Sequence, residues 1–230
     1  MLGEGHRGRV LAVVAALNEE EGIGPTIAEL QQHLENPRVL VVDGHSVDRT
    51  VEIAKELDAD IVFQEGRGKG DAVAAGIKLV DGDVDYVVFT DADYTYPAEY
   101  LPRMMRILDE DPGVGMVCGN RFNHHLNVTA MHNAFYFGNR LIAFTHNLLN
   151  GVQLRDPLTG LRVVRSEIVR NWRPQSKSFD VEVELNHHVE RQGYGIREVD
   201  ISYRPRLGDK KLKLRHGVTI LKRILTESVY

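Results

Sequence analysis

The stretch Tyr86-Val-Val-Phe-Thr-Asp91-Ala-Asp93-Tyr-Thr-Tyr-Pro97 decides the fold, because apolar, β-branched text runs straight into two carboxylates one residue apart. A short apolar run that closes on polar residues reads as a central strand of an α/β sheet. In such sheets ligands collect beyond the carboxyl ends of the strands. Two hard anionic oxygens at that place suit Mg²⁺ or Mn²⁺, with open positions left for pyrophosphate oxygens. An isolated Asp-x-Asp also caps turns; its position after a fully apolar fourth strand favours the metal reading of Asp91 and Asp93.

Working outward, short β-branched runs alternate with amphipathic segments. Strands are expected at Val10 to Ala16, Arg38 to Val42, Asp60 to Phe63, Asp85 to Thr90 and Val114 to Cys118. Helices are expected to begin near Ile23, Asp48, Gly70 and Pro97, each opened by a turn-rich or acidic stretch. This β-α alternation predicts an α/β fold with a doubly wound, mostly parallel sheet. After Arg121 the pattern becomes less regular: a helix from Thr129 to Leu149, a strand at Leu161 to Val164, a helix from Asp180 to Arg191 and a strand from Gly195 to Tyr203. No repeat or low-complexity linker divides the 230 residues, so one domain is expected, with residues 1–121 and 122–230 as its two halves.

Composition narrows the function. A hydrophobic content of 43% is enough for a sizeable core, and a lone cysteine, Cys118, excludes an internal disulfide and fits a reducing cytosol. The polar, Gly-rich start from Met1 to Arg9 does not read as a secretion signal, and no apolar run is long enough to span a bilayer. The formal net charge is −5, yet Arg191 to Tyr230 carries ten Lys+Arg against four Asp+Glu. An acidic body argues against nucleic-acid binding, whereas the basic tail suits phosphate or an anionic membrane surface. A solvated basic face is the plainer alternative.

Two further motifs bear on chemistry. Val39-Leu-Val-Val-Asp43-Gly-His-Ser46-Val-Asp48-Arg-Thr50 ends a strand at an acid whose carboxylate can accept hydrogen bonds from a base or ribose. Ser46 and Asp48 read as turn and cap residues. Gln64-Glu-Gly66-Arg67-Gly68-Lys69-Gly70-Asp71 places three glycines and two cations ahead of a helix, where backbone amides, Arg67 and Lys69 can meet a diphosphate. The Gly-x4-Gly-Lys-Ser/Thr spacing of a P-loop is absent. The histidines at 124, 125, 132, 187 and 188 match no zinc spacing and read as surface or hydrogen-bonded residues. Trp172 reads as a packing residue.

Together with Leu17-Asn-Glu19-Glu20, these motifs resemble the family 2 glycosyltransferases of GT-A fold, and specifically the polyprenyl-phosphate hexosyltransferases that include dolichyl-phosphate mannose synthases and archaeal dolichyl-phosphate hexosyltransferases. The resemblance runs from Val10 to Leu221. It includes Gly-Asn-Arg at 119–121 and 138–140, Asp-Pro-Leu-Thr-Gly-Leu-Arg at 156–162 and Tyr-Arg-Pro-Arg at 203–206. It implies that Leu17, Glu19 and Asp43 line the nucleoside pocket and that Asp91 and Asp93 hold the metal and diphosphate. It also implies an acceptor side built from Arg121, Arg140, Thr159, Arg162, Arg206 and Lys211. Arg forks and hydroxyls are the donors a phosphate needs.

Dolichyl-phosphate mannose synthases carry Gln two residues beyond the second Asp. Thr95 stands there in this chain, which shifts the resemblance towards the archaeal subgroup and UDP-sugars over GDP-sugars. Asp156 is a candidate general base. A phosphate acceptor, with a second pKa of about 6, needs none, so Asp156 is equally a candidate for orienting an acceptor Arg. With no residue placed as a sugar nucleophile, in-line displacement with inversion is expected.

The expected activity is hexose transfer, with glucose or N-acetylglucosamine favoured, from a nucleotide-sugar to dolichyl or polyprenyl phosphate. It would feed protein glycosylation or cell-envelope glycans, through peripheral contact at the cytoplasmic, inner face of the cell membrane. A haloacid dehalogenase-type phosphatase also fits Asp91-x-Asp93-x-Thr95, though that fold opens with this strand, whereas three βα units precede it here. A sugar nucleotidyltransferase would carry a Gly-rich, Arg-containing N-terminal loop, whereas Ala16 to Glu21 is acidic here, and a noncatalytic nucleotide-sugar-binding partner is the alternative from another class.

Overall fold

A computed structural model describes residues 9–122, 154–208, 220, 223 and 224. The expected helix at 129–149, Arg140, Lys211, the histidines at 124, 125 and 132, and most of the basic tail lie outside these residues.

Seven strands form one sheet in the order β3-β2-β1-β4-β6-β5-β7. They are β1 (Val10–Ala16), β2 (Arg38–Asp43), β3 (Asp60–Phe63), β4 (Tyr86–Asp91), β5 (Val114–Asn120), β6 (Arg162–Arg165) and β7 (Gly195–Asp200). All pairings are parallel except those of β6, which runs against both β4 and β5. The helices are α1 (Ile23–His33), α2 (Thr50–Glu56), α3 (Lys69–Ile77), α4 (Leu101–Glu110), α5 (Ser166–Val169) and α6 (Val181–Arg191).

The two-residue period of each strand sorts its side chains onto two apolar layers. Val10, Ala12, Val14 and Ala16 of β1 pack with Val39 and Val41 against α1 and α4, through Ile23, Ile27, Leu101 and Met104. Leu11 and Val13 pack with Leu40, Val42, Val87 and Phe89 against α3 and α6, through Val73, Ile77, Val181 and Leu185. Both faces of the central strands are therefore dry, which explains their unbroken apolar text. Cys118 lies in the second layer, where burial pushes its thiol up to about 12.

The strand order reverses between β1 and β4, since β2 and β3 lie on one side of β1 and β4 on the other. That reversal opens a crevice at the carboxyl ends of the two strands. Because β6 is reversed, the 156–161 loop preceding it arrives at the same edge. Two sequence expectations differ from the structure. The last strand ends at Asp200 rather than Tyr203, because the chain leaves the sheet and runs along the Asp91–Asp93 turn, with Arg204 N–H donating to Thr95 O and Leu207 N–H to Asp93 O. The four-residue α5 was not expected, being too short to show a helical period.

Candidate active site

The crevice is assembled from loops at the carboxyl ends of the parallel strands, joined by the 156–161 loop and the segment after β7. Asp91 ends β4 and Asp93 follows on a turn in which Tyr94 has φ +63°. Asp93 is 5% exposed; its Oδ1 accepts from the Thr95 amide at 3.1 Å and the Thr95 hydroxyl at 2.6 Å. Thr95 thus orients Asp93. Burial and the neighbouring Asp91 charge raise the Asp93 pKa, against the lowering effect of Thr95 and Arg206.

Cations already stand against both carboxylates. Lys69 Nζ lies 2.6 Å from Asp91 and 2.8 Å from Glu182 of α6. Burial opposes the ammonium charge, but Asp91 and Glu182 outweigh it and hold Lys69 protonated above the ordinary lysine range. Arg206 pairs with Asp93 at 2.8 Å and with Glu19. Among the described residues no group of three His, Cys, Asp or Glu side chains is set to hold a metal. Two adjacent hard carboxylates, one of them raised by the charge of the other, still fit a divalent cation that takes its remaining ligands from water and phosphate.

Gly160 joins the two sides of the crevice. A Cβ there would stand 2.6 Å from Asp91 Oδ2 and 3.0 Å from the Tyr96 ring. Its amide donates to Tyr96 Oη at 2.7 Å. Gly70 is equally constrained, since a Cβ would lie 2.1 Å from Ser176 O. That close approach brings the start of α3, and Lys69 with it, towards the segment leading to α6.

On one side of the crevice the loops after β1 and β2 are stapled together. Ser46 Oγ and Thr50 Oγ1 accept from the amides of Asn18 and Glu19, each at 2.8 Å. Asp48 accepts from Glu20 N–H, while Asn18 Oδ1 and Glu20 Oε2 accept from the amides of Val47 and Arg49. Five such bonds, each worth roughly 1 kcal/mol, make a firm wall. Asp43 lies wholly buried beneath it, with Oδ1 and Oδ2 engaged by Ser46 N–H and Oγ–H at 2.8 and 2.6 Å. Asp43 therefore shapes the turn, and Leu17 is the exposed apolar side chain above it. Arg67 is exposed at the rim.

On the far side, Arg121 makes a two-pronged pair with Asp156, Nε to Oδ2 at 2.6 Å and Nη2 to Oδ1 at 2.7 Å. Its guanidinium also lies 5.4 Å from the Tyr203 ring centroid. Asp156 is buried with both oxygens engaged, a geometry suited to orienting Arg121. Thr159 is buried, and its hydroxyl has no hydrogen-bond partner among the described residues.

Arg162 departs from the expected acceptor position. It is 2% exposed and donates to Thr159 O, Pro157 O and Asn186 Oδ1, so it supports the 156–161 loop from beneath. Arg206, expected beside the acceptor, instead neutralises Asp93 and Glu19, because two buried carboxylates need a countercharge. Glu182 and Gly160 were not singled out in the sequence. Helix spacing gives no signal for a buried acid whose partner is more than a hundred residues away. Trp172 packs as expected, stacked on His188 with ring centroids 5.3 Å apart.

The glycosyl transferase family 2 model matches residues 11–173, well over half of the chain. The chain belongs to glycosyl transferase family 2. Dolichyl-phosphate hexose transferase of Haloferax volcanii is 35% identical over 203 residues, covering 87% of this chain and 85% of that protein. Glycosyltransferase AglJ of the same organism is 32% identical over 197 residues, 86% of this chain and 63% of that protein, so this glycosyltransferase spans less than two thirds of AglJ. In fold it is similar to glucosyl-3-phosphoglycerate synthase of Mycobacterium tuberculosis, solved with Mn²⁺, UDP-glucose and phosphoglyceric acid. The TM-score is 0.77 at 21% identity, over 97% of this chain and 80% of that one. Family membership removes the phosphatase alternative.

Proposed function

We propose that this glycosyltransferase moves a hexose, glucose or N-acetylglucosamine, from a UDP-sugar onto a dolichyl or polyprenyl phosphate, with inversion at the anomeric carbon. The observation that carries the reading is the juxtaposition, through Gly160, of the Asp91–Asp93 carboxylates with the loop that holds Asp156 against Arg121. The 35% identity to a dolichyl-phosphate hexose transferase supports the acceptor class. The fold shared with a synthase solved with UDP-glucose and Mn²⁺ supports the donor.

In this reading Asp91 and Asp93 hold Mg²⁺ or Mn²⁺. The ion, when bound, offsets the charge that builds on the departing nucleotide diphosphate. Lys69 has Glu182 as a second anchor, so it can leave Asp91 and face the diphosphate. Leu17 and the stapled wall above Asp43 receive the nucleoside, and Arg67 and Glu19 border it. Arg121, pre-oriented by Asp156, meets the acceptor phosphate together with Thr159, Arg140, Lys211 and a displaced Arg206. The phosphate attacks as an anion and needs no base. Arg162 stays beneath the loop.

No helix among the described residues is long and apolar enough to cross a membrane. We place the enzyme in peripheral contact with the cytoplasmic face through its basic C-terminal segment. A polyprenyl acceptor of this kind serves protein glycosylation or envelope glycan synthesis.

Calorimetric titration with UDP and GDP, with and without Mn²⁺, tests the donor reading. UDP should bind more tightly, only with metal, and Asp93→Ala should abolish this binding. Metal-independent binding of equal strength in that variant would overturn the assignment. The anomeric proton of the product, read by NMR, should report a β-linkage from an α-linked donor.

A further inference from the structure

We infer that Glu29 of α1 is a positioning residue of the transfer reaction: it fixes the turn that carries Asp93 through Tyr94 and Ala98, and the segment that carries Arg206 through Arg204. The inference rests on the proposed roles of Asp93 and Arg206. Glu29 Oε1 accepts from Tyr94 Oη–H at 3.1 Å and Arg204 Nη2–H at 2.7 Å. Its Oε2 accepts from the Ala98 amide at 3.2 Å and Arg204 Nη1–H at 2.9 Å. One carboxylate, 17% exposed, thus gathers four donors from two stretches more than a hundred residues apart in the chain.

The surroundings leave both stretches little freedom. The Arg204 guanidinium lies 4.2 Å from the Tyr94 ring centroid, the geometry of a cation held on an aromatic face. Tyr94 has φ +63°, a left-handed conformation that costs a bulky residue free energy and persists where contacts on either side hold it. Its hydroxyl bond to Glu29 is one such contact. The backbones are tied alongside by Arg204 N–H to Thr95 O and Leu207 N–H to Asp93 O. Asp93 is one residue before Tyr94, and Arg206 two after Arg204. A carboxylate that fixes Tyr94 and Arg204 therefore fixes the two backbones from which the Asp93 and Arg206 side chains reach into the site.

Net of burial, which raises it, the Arg204 fork and the Ala98 amide hold the Glu29 pKa below the ordinary glutamate value. The charged form is thus the one that positions both segments.

A double-variant cycle on the full chain tests this. Steady-state transfer is measured alongside the Kd for UDP in saturating Mn²⁺ and a thermal melt. Glu29→Gln should lower kcat about tenfold and weaken UDP–Mn²⁺ binding about tenfold, since both segments are loosened. Arg204→Ala should reproduce the fall in kcat with Kd changed less than about threefold. In an Arg206→Ala background, Arg204→Ala should cost less than about twofold more, because it acts through Arg206.

Fully multiplicative losses in the double variant, or an unchanged Kd in Glu29→Gln, would overturn the inference. If Glu29→Gln does not fold, the cycle between the part-exposed Arg204 and Arg206 decides alone. Failure of the underlying reading looks different: the unaltered enzyme would then bind UDP or transfer sugar without metal.

Discussion

The two walls of the crevice are built by different means. The nucleoside wall is a lattice of short polar side chains, Asn18, Ser46, Asp48 and Thr50, that bond the amides of a neighbouring loop 28 to 31 residues away. The opposite wall, proposed to face the acceptor, rests on a long cationic side chain paired with a buried acid, Arg121 with Asp156, and Lys69, held between Asp91 and Glu182, stands between the two walls. Short side chains ordered by backbone lose little freedom and make a wall of fixed shape, as recognition of a rigid nucleoside asks. Arg and Lys are long and carry up to about 2 kcal/mol of rotamer entropy, and their partners can be exchanged for phosphate. In the proposed reading the first wall receives the nucleoside, and the cations of the second exchange a carboxylate for phosphate during a turnover.

The largest effect that would sharpen this contrast is expected at Arg121. Arg121→Ala removes the fork from Asp156 and the proposed contact to the acceptor, so transfer should fall about a hundredfold, roughly 3 kcal/mol, while the KM for donor stays within about threefold. A donor KM that rises in step would place Arg121 on the nucleotide side and erase the distinction.

Next comes Arg162, which separates support from recognition within the acceptor wall. Truncating it strands Thr159 O and Asn186 Oδ1 in a dry interior and leaves Pro157 O with only the Asn186 amide as donor. Arg162→Ala should lower unfolding free energy by about 3 kcal/mol or more, seen in denaturant titration. A variant as stable as the parent but unable to use acceptor would return Arg162 to the acceptor position its motif suggested.

The smallest effect is expected in the nucleoside wall. Ser46→Ala removes one bond to Asn18 and one to Asp43, while the Ser46 amide keeps its bond to Asp43 Oδ1. The loss should be about 1 kcal/mol of stability with a severalfold rise in donor KM and no change in acceptor KM. An acceptor-side effect of equal size would show that the two walls are one mechanical unit.

The same contrast explains what was legible in the sequence. Strands β1 to β6 lie within a few residues of where β-branched runs placed them, because burial on both faces forces that text. Asp91 and Asp93 stood out because a polar pair ended an apolar strand. Glu29 and Glu182 did not, since their partners are fixed by tertiary approach: the Glu29–Arg204 pair spans 175 positions. The opposite placement of Arg162 and Arg121, three and thirty-five positions from their partners Thr159 and Asp156, follows from β6 running antiparallel. No hydrophobic period announces that direction.

Metal-dependent transfer to a lipid phosphate is read by incubating the enzyme with dolichyl phosphate and radiolabelled UDP-glucose or UDP-N-acetylglucosamine in Mn²⁺, then extracting the lipid. Label should enter the organic phase from one of these donors, and EDTA should reduce it to background. Label that stays wholly aqueous with both donors, or lipid labelling that EDTA leaves untouched, would contradict the account.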